Sequence, residues 1–140
     1  MRMIMKKKLM ALVMTACVAA TMLTGCGSSA GSKDTYTVGI CQLVQHPALD
    51  AATQGFKDAL TEKLGDKVKF NEQNASGESA TCSTIVNQFV SSGVDLILAN
   101  ATAPLQSAAA ATNTIPILGT SVTDYATALD ISDWNGTTGV

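Results

Sequence analysis

Segments typical of β-strands alternate with segments typical of α-helices through most of the chain after residue 35. Such alternation is the signature of β-α-β units, in which successive strands run parallel and each helix crosses one face of the sheet. We therefore predict an α/β fold with a parallel sheet and helices on both faces. The predicted strands span 36–44, 67–72, 94–99 and 115–119, and the predicted helices span 47–64, 78–90 and 103–112.

The first predicted helix has clear boundary signals. Pro47 suits a first helical turn, where its missing amide hydrogen costs nothing, and Gly65 suits the position just past the end. Residues 94–99 form a nearly continuous apolar run, as expected for a parallel strand covered on both faces. Residues 126–140 show no helix that would complete the sheet, so we expect the chain to be the N-terminal part of a longer protein.

The first 26 residues resemble an export signal that ends in a lipidation site. A basic start through Lys8 precedes the uncharged run 9–23, which is short for a membrane-spanning helix and suitable for a signal peptide. Leu23-Thr24-Gly25-Cys26 has the form of a bacterial lipobox, in which cleavage leaves a lipidated cysteine. We predict a signal peptide over 1–25, lipidation of Cys26 and a flexible Gly/Ser-rich tether over 26–35. The alternative is an ordinary signal peptide with an incidental cysteine.

The charge of the remaining chain limits its partners. Without residues 1–25, the chain contains five lysines, eleven acidic residues and no arginine. An acidic surface without arginine is poorly suited to nucleic acid or to anionic lipid headgroups. We therefore expect no nucleic-acid partner, and we expect membrane attachment only through the lipid anchor, facing the outside or the periplasm.

Two cysteines remain in the predicted domain. Cys41 lies in a predicted core strand and Cys82 on a predicted helix. An exported protein permits a disulfide between them, but their spacing does not require one. We predict two buried thiols.

The carboxyl ends of the predicted strands select the candidate binding loops, because ligands of open parallel sheets bind at that edge. The loops are Gln45-His46, Gln73-Asn74, residues 100–102 and residues 120–125, and their only carboxylate is Asp124. This rim suits a zwitterion, with backbone amides and Ser121 or Thr102 holding a carboxylate and Asp124 pairing with an ammonium. Alternatively, Thr102 and Asp124 only cap the segments that follow them.

No catalytic or cofactor-binding motif is evident. His46 is the only histidine, and the chain contains no nucleophile elbow, phosphate-binding loop, dinucleotide fingerprint or Cys-x-x-Cys motif. We predict that the protein is not an enzyme and requires neither a cofactor nor a metal, with His46 a polar loop residue beside the helix start.

Several motifs together carry a resemblance to a known family. They are Val38-Gly39-Ile40, Gln45-His46-Pro47-Ala48-Leu49-Asp50, Val94-Asp95-Leu96-Ile97, Asn100-Ala101-Thr102, Gln106, Thr114-Ile115-Pro116-Ile117 and Thr120-Ser121-Val122-Thr123-Asp124. The chain resembles the substrate-binding lipoproteins of ABC transporters with the type I periplasmic-binding fold, in the branch associated with tryptophan and tyrosine uptake. The resemblance covers nearly all of 36–140.

The resemblance implies one lobe of a two-lobed clamshell about twice this length, which closes on a small ligand and delivers it to an ABC permease. Residues 36–140 then form the N-terminal lobe, incomplete at its C-terminus. An amino acid is the implied ligand, with aromatic ones favoured. The implied ligand-binding residues are Gln45, His46, Thr102, Gln106, Ser121 and Asp124.

One local sequence departs from the family pattern. Thr102-Ala103-Pro104 replaces the usual Thr-Pro-Ala, which changes the amide that is missing from the first helical turn. Two other functions stay open. One is a sensory domain of the same fold that feeds a receptor, and the other is an exported α/β hydrolase.

Overall fold

The computed structural model describes residues 33–131. The predicted signal peptide, the lipidation of Cys26 and most of the predicted tether lie outside these residues. The strands are β1 (Tyr36–Gln42), β2 (Val68–Asn74), β3 (Leu96–Asn100) and β4 (Ile117–Thr120). The helices are α1 (Pro47–Leu64), α2 (Ser79–Ser92), α3 (Thr102–Ala111) and α4 (Tyr125–Leu129), with a short 3-10 turn at Gly65–Lys67.

The four strands form one parallel sheet in the order β2-β1-β3-β4. The predicted α/β class and the parallel sheet are therefore confirmed. Because all strands run the same way, their carboxyl ends meet at one edge, here called the carboxyl edge. The register places four polar residues side by side along it, namely Asn74, Gln42, Asn100 and Thr120.

Helices cover both faces of the sheet, as predicted. On one face, Val38, Ile40 and Leu98 pack against Phe56, Leu60 and Leu64 of α1. On the other face, Cys41 and Ile97 pack against α2 and α3, which contribute Ile85, Val86, Phe89 and Ala108. In β3, Leu98 packs on one face of the sheet and Ile97 on the other. Both faces are buried, which explains why the strand is an apolar run and does not alternate between apolar and polar residues.

Gly39 permits a close approach between β1 and α2. A Cβ atom at this position would lie 2.6 Å from Cδ2 of Phe89, whose side chain is fully buried. Carbon atoms in contact are normally about 3.5–4.0 Å apart. The absence of a side chain at Gly39 therefore sets the spacing between helix and sheet.

The predicted limits of α1 are confirmed. Pro47 occupies its first turn, and Gly65 follows its last residue with φ 55°. β1 ends at Gln42 instead of Val44, since the Gln42 side chain donates a hydrogen bond to the Val44 carbonyl (3.0 Å) and the chain turns there. Among residues 33–131, no helix has both the length and the apolar character needed to span a bilayer.

The short helix α4 was not predicted. Asp124 caps its N-terminus, with Oδ1 accepting a hydrogen bond from the Thr127 amide (3.1 Å) and Oδ2 accepting one from the Thr127 hydroxyl (3.0 Å). The Tyr125 hydroxyl donates a hydrogen bond to the Gly119 carbonyl (2.8 Å). These local bonds hold a five-residue helix that is too short to show apolar periodicity.

The two cysteines are buried free thiols, which confirms that prediction. Burial, and to a smaller extent the neighbouring Cys82 thiol, raise the pKa of the Cys41 thiol to about 12. Burial also raises the pKa of Cys82. Both groups stay protonated at neutral pH and behave as small apolar side chains of the core.

Asp95 fastens the start of β1 at the amino edge of the sheet, opposite the carboxyl edge. Its carboxylate pairs with the Lys33 ammonium and accepts a hydrogen bond from the Thr37 amide (2.7 Å). These two hydrogen bonds hold the pKa of Asp95 below its usual range, and the bond from Lys33 has the larger effect. The chain therefore enters the domain at the edge farthest from the candidate binding loops.

Candidate functional site

An open cleft of about 630 Å³ lies at the carboxyl edge, beside the ends of β1 and β2. All but one of its lining residues have polar side chains, which are amides, carboxylates and a hydroxyl, and the exception is aliphatic. The lining residues are Gln42, Val44, Gln45, Asp50, Glu72, Asn74 and Ser76. A cleft with this lining can hold a small polar or zwitterionic molecule through several hydrogen bonds.

A buried polar network supports the cleft from below. Gln42 Oε1 accepts a hydrogen bond from the Thr53 hydroxyl (2.7 Å), and Gln42 Nε2 donates one to Asp50 Oδ1 (2.6 Å). Asn100 Nδ2 donates to the Thr53 hydroxyl (2.9 Å). Gln42, Thr53 and Asn100 are almost fully buried. Because each buried polar group is costly to leave unpaired, this network fixes the orientation of the side chains that face the cleft.

Asn100 also joins α1 to the end of β3. Its Nδ2 donates a second hydrogen bond, to the carbonyl of Leu49 (2.8 Å), in the first turn of α1. β3 leads directly into α3, so this bond places the starts of α1 and α3 in the same part of the carboxyl edge. Asn100 Oδ1 has no hydrogen-bond partner among the described residues.

Two carboxylates line the cleft, although the candidate loops were predicted to hold Asp124 alone. Asp50 lies in the first turn of α1 and Glu72 lies within β2. Both were missed because the prediction considered only loops. Glu72 pairs with the Lys57 ammonium (2.7 Å), whereas Asp50 takes part in neither ion pair found in residues 33–131.

The start of α3 has a strained backbone. Ala101 precedes the helix with φ 106° and ψ 171°, a region that is favourable almost only for glycine. No side chain caps this helix, so the interpretation of Thr102 as its cap is wrong. The amides of Thr102 and Ala103 have no acceptor within the helix, while Pro104 has no amide hydrogen to offer. Two adjacent backbone donors at this helix start are thus suited to a carboxylate.

The first two sequence-predicted site residues lie beside β1. Gln45 lines the cleft and is exposed. His46 caps α1, where its Nδ1 accepts a hydrogen bond from the Ala48 amide (3.2 Å). The position of His46 at the helix start agrees with the interpretation of a polar loop residue. No group of three or more His, Cys, Asp or Glu side chains within 33–131 is placed to hold a metal ion.

The remaining predicted site residues lie near α3 and α4, and none of them lines the cleft. Gln106 is exposed, and its Nε2 donates a hydrogen bond to the Ala128 carbonyl (3.0 Å). Ser121 follows β4 with φ 57°. Asp124 caps α4, which confirms the capping interpretation, and the bonds from Thr127 hold its pKa below the usual range although it is exposed. Their contact with a ligand stays a prediction, as it does for Thr102.

Comparison with known proteins gives consistent results. A family model described as "ABC transporter substrate binding protein" matches residues 37–140. The "Tyrosine-binding protein" of Clostridioides difficile (strain R20291) is 40% identical over 136 aligned positions, which cover 87% of this chain and 39% of that protein. The chain therefore spans about two fifths of the length of this curated relative.

Two solved structures are similar in fold and sequence. One is the ligand-free, open structure of a substrate-binding protein with adhesive properties from Clostridium difficile, with a TM-score of 0.65 and 41% identity, covering 67% of this chain and 33% of that one. The other is the ABC domain in complex with L-Trp from Streptococcus pneumonia, with a TM-score of 0.63 and 34% identity, covering 67% and 32%. The sheet described here thus has the fold of about one third of each of these proteins.

Proposed function

Because the chain belongs to the ABC transporter substrate-binding protein family, we propose that it supplies the N-terminal lobe of the solute-binding component of an ABC importer. We propose an aromatic amino acid as the ligand. The main support for this ligand class is the 40% identity to a tyrosine-binding protein, and the similar structure with bound L-Trp is further support. The protein binds its ligand and passes it to permease subunits without chemical change.

The geometry of the carboxyl edge supports this ligand class. The amides of Thr102 and Ala103 can bind the carboxylate of an amino acid, because both lie at the positive end of α3. In this proposal, polar side chains from the other loops surround the bound carboxylate. The proposed ligand-facing residues are Gln45, His46, Thr102, Gln106, Ser121 and Asp124.

Binding would be completed by a second lobe. An open cleft on one lobe leaves the ligand largely in water, whereas closure of two lobes removes the water and strengthens each polar contact. Closure also gives the permease two distinguishable states of the binding protein, empty and loaded. This mechanism requires no catalytic group.

The ligand proposal is tested by titration calorimetry on the protein expressed from its complete gene. We expect saturable binding of L-tyrosine or L-tryptophan at least tenfold tighter than binding of L-leucine, since an aromatic ring buries more surface. L-Glutamate and galactose serve as control ligands. The absence of binding for every amino acid tested would show that the ligand class is wrong.

We also propose that Cys26 is lipidated and anchors the protein in the cell envelope, since residues 23–26 have the form of a lipobox. Acyl chains contribute about 0.8 kcal/mol per buried methylene, so two or three chains hold a protein firmly on a bilayer. The variant C26S is expected to lose palmitate labelling and to leave the membrane fraction or stay unprocessed. C17S, in the same leader, is the control. Unchanged labelling and fractionation of C26S would contradict the proposal.

A further inference from the structure

An amino acid ligand brings an ammonium group that needs a counter-charge once the lobes close, because an unpaired buried charge is very costly. Four carboxylates lie at or next to the carboxyl edge, namely Asp50, Glu72, Glu78 and Asp124, and only Asp50 and Glu72 line the cleft. Their contacts differ, and the difference shows which of them is available to a ligand.

Two of the four are already engaged, and a third, Glu78, is exposed before α2 and does not line the cleft. Glu72 is neutralised by the Lys57 ammonium at 2.7 Å. Asp124 uses both of its oxygens to cap α4 through Thr127, and it does not line the cleft. A ligand ammonium would have to compete with these bonds at either position.

Asp50 is in a different situation. It is half-buried and lines the cleft, and only its Oδ1 has a hydrogen-bond partner, Gln42 Nε2 at 2.6 Å. Within residues 33–131, Asp50 Oδ2 makes no hydrogen bond and the Asp50 carboxylate contacts no cation. Gln42 is itself held by Thr53, so the Asp50 carboxylate is kept in one orientation before a ligand arrives.

The position of Asp50 also suits a zwitterion. The hydrogen bond between Asn100 and the Leu49 carbonyl (2.8 Å) ties the residue just before Asp50 to the last residue of β3. Thr102 follows that strand end by two residues, and its amide starts α3. The ammonium and the carboxylate of one amino acid are only a few bonds apart, so they need a cation site and an anion site that are neighbours. The bond between Asn100 and Leu49 places the first turn of α1 beside the strand end that leads into α3, and in this inference the ligand bridges the two.

We propose that Asp50 is the specificity-determining residue that binds the ligand's α-ammonium group. The inference rests on the proposed function, since it assumes an amino acid ligand. It assigns to Asp50 the role that the sequence pattern suggested for Asp124. It also assigns to the buried Gln42–Thr53–Asn100 network the task of positioning that carboxylate.

The experiment compares ligands with and without the ammonium group. L-Tyrosine and its deaminated analogue 3-(4-hydroxyphenyl)propionate are titrated into the wild type and into D50N, both expressed from the complete gene. The substitution preserves the shape of the side chain and removes its charge. We expect D50N to weaken tyrosine binding at least 30-fold and to change binding of the deaminated analogue less than threefold. D58N, an exposed position of α1 outside the cleft, is the matched control and is expected to change tyrosine binding less than threefold. D124N and E72Q test the two competing carboxylates.

The outcomes are distinguishable. An equal loss for both ligands in D50N would show that Asp50 acts only through the fold, and it would overturn the inference while leaving the proposed function intact. A selective loss of tyrosine binding in D124N or E72Q, with D50N unaffected, would assign the ammonium to that residue instead. If the wild type binds no amino acid, the proposed function fails and this inference fails with it.

Discussion

Replacing Gly39 with alanine is expected to destabilise the domain by about 2–4 kcal/mol, at or above the usual range for overpacking a core. The new Cβ would lie 2.6 Å from the Phe89 ring. β1 is hydrogen-bonded to strands on both sides, so its backbone cannot move away from α2 without breaking a ladder. The measurement is the free energy of unfolding from urea denaturation of the wild type and G39A.

Gly55 provides the matched control. It lies within α1, and a Cβ there would have no atom within 4 Å. G55A is expected to stabilise the domain by about 0.5–1 kcal/mol, because alanine loses less backbone entropy in a helix. F89A alone is expected to cost about 3–5 kcal/mol. In the F89A background, G39A should cost much less than in the wild type, and an equal cost in both would refute the clash with Phe89.

Changing Asn100 to aspartate is expected to destabilise the domain by more than about 3 kcal/mol at neutral pH, since it leaves a buried charge without a partner. The side chain is fully buried, and its Nδ2 donates to the Leu49 carbonyl and to Thr53. A carboxylate oxygen in that position would face the Leu49 carbonyl oxygen and repel it. Urea denaturation of N100D measures the loss.

The pH dependence of this loss has a definite sign. Burial raises the pKa of a carboxyl group above its unfolded value, so the folded state of N100D binds its proton more tightly than the unfolded state. The deficit relative to the wild type is therefore largest above the folded pKa and shrinks as the pH falls. N74D is the control, because Asn74 is exposed and its Oδ1 already accepts a hydrogen bond from the Ser76 amide (2.8 Å). A comparable deficit in N74D would contradict the role of burial.

Most of the fold could be predicted from local sequence because its signals are local. Pro47 and Gly65 mark the two ends of α1 by backbone chemistry that needs no knowledge of the rest of the molecule. The apolar run in β3 likewise indicates a strand that is covered by helices on both faces of the sheet. Boundaries that depend on pairing were less accurate. β2 extends to Asn74 because that residue pairs with Gln42, a partner 32 positions earlier in the chain.

The site was predicted less well because it is built from long-range contacts. Gln42 and Asn100 are 58 positions apart, and only the sheet register reveals that they are neighbours. Their polar side chains inside apolar strands were the available signal, since a polar residue in a buried strand needs a partner. Asp50 was present in the family motif but lies inside a helix, so a search restricted to loops passed over it. Asp124, an exposed loop carboxylate, was the easier residue to notice.

The attachment at the amino edge has a mechanical consequence. Lys33 and Thr37 both contact Asp95, so a pull on the chain before Lys33 is transmitted along the axis of β1. β1 lies between the parallel strands β2 and β3. A load along β1 therefore strains its hydrogen bonds to both strands at once instead of breaking them one at a time. Forced unfolding is governed by the rate of crossing that barrier. A pull applied at Lys33 is therefore expected to load both ladders of β1 at the amino edge, while the cleft lies at the opposite end of the strands.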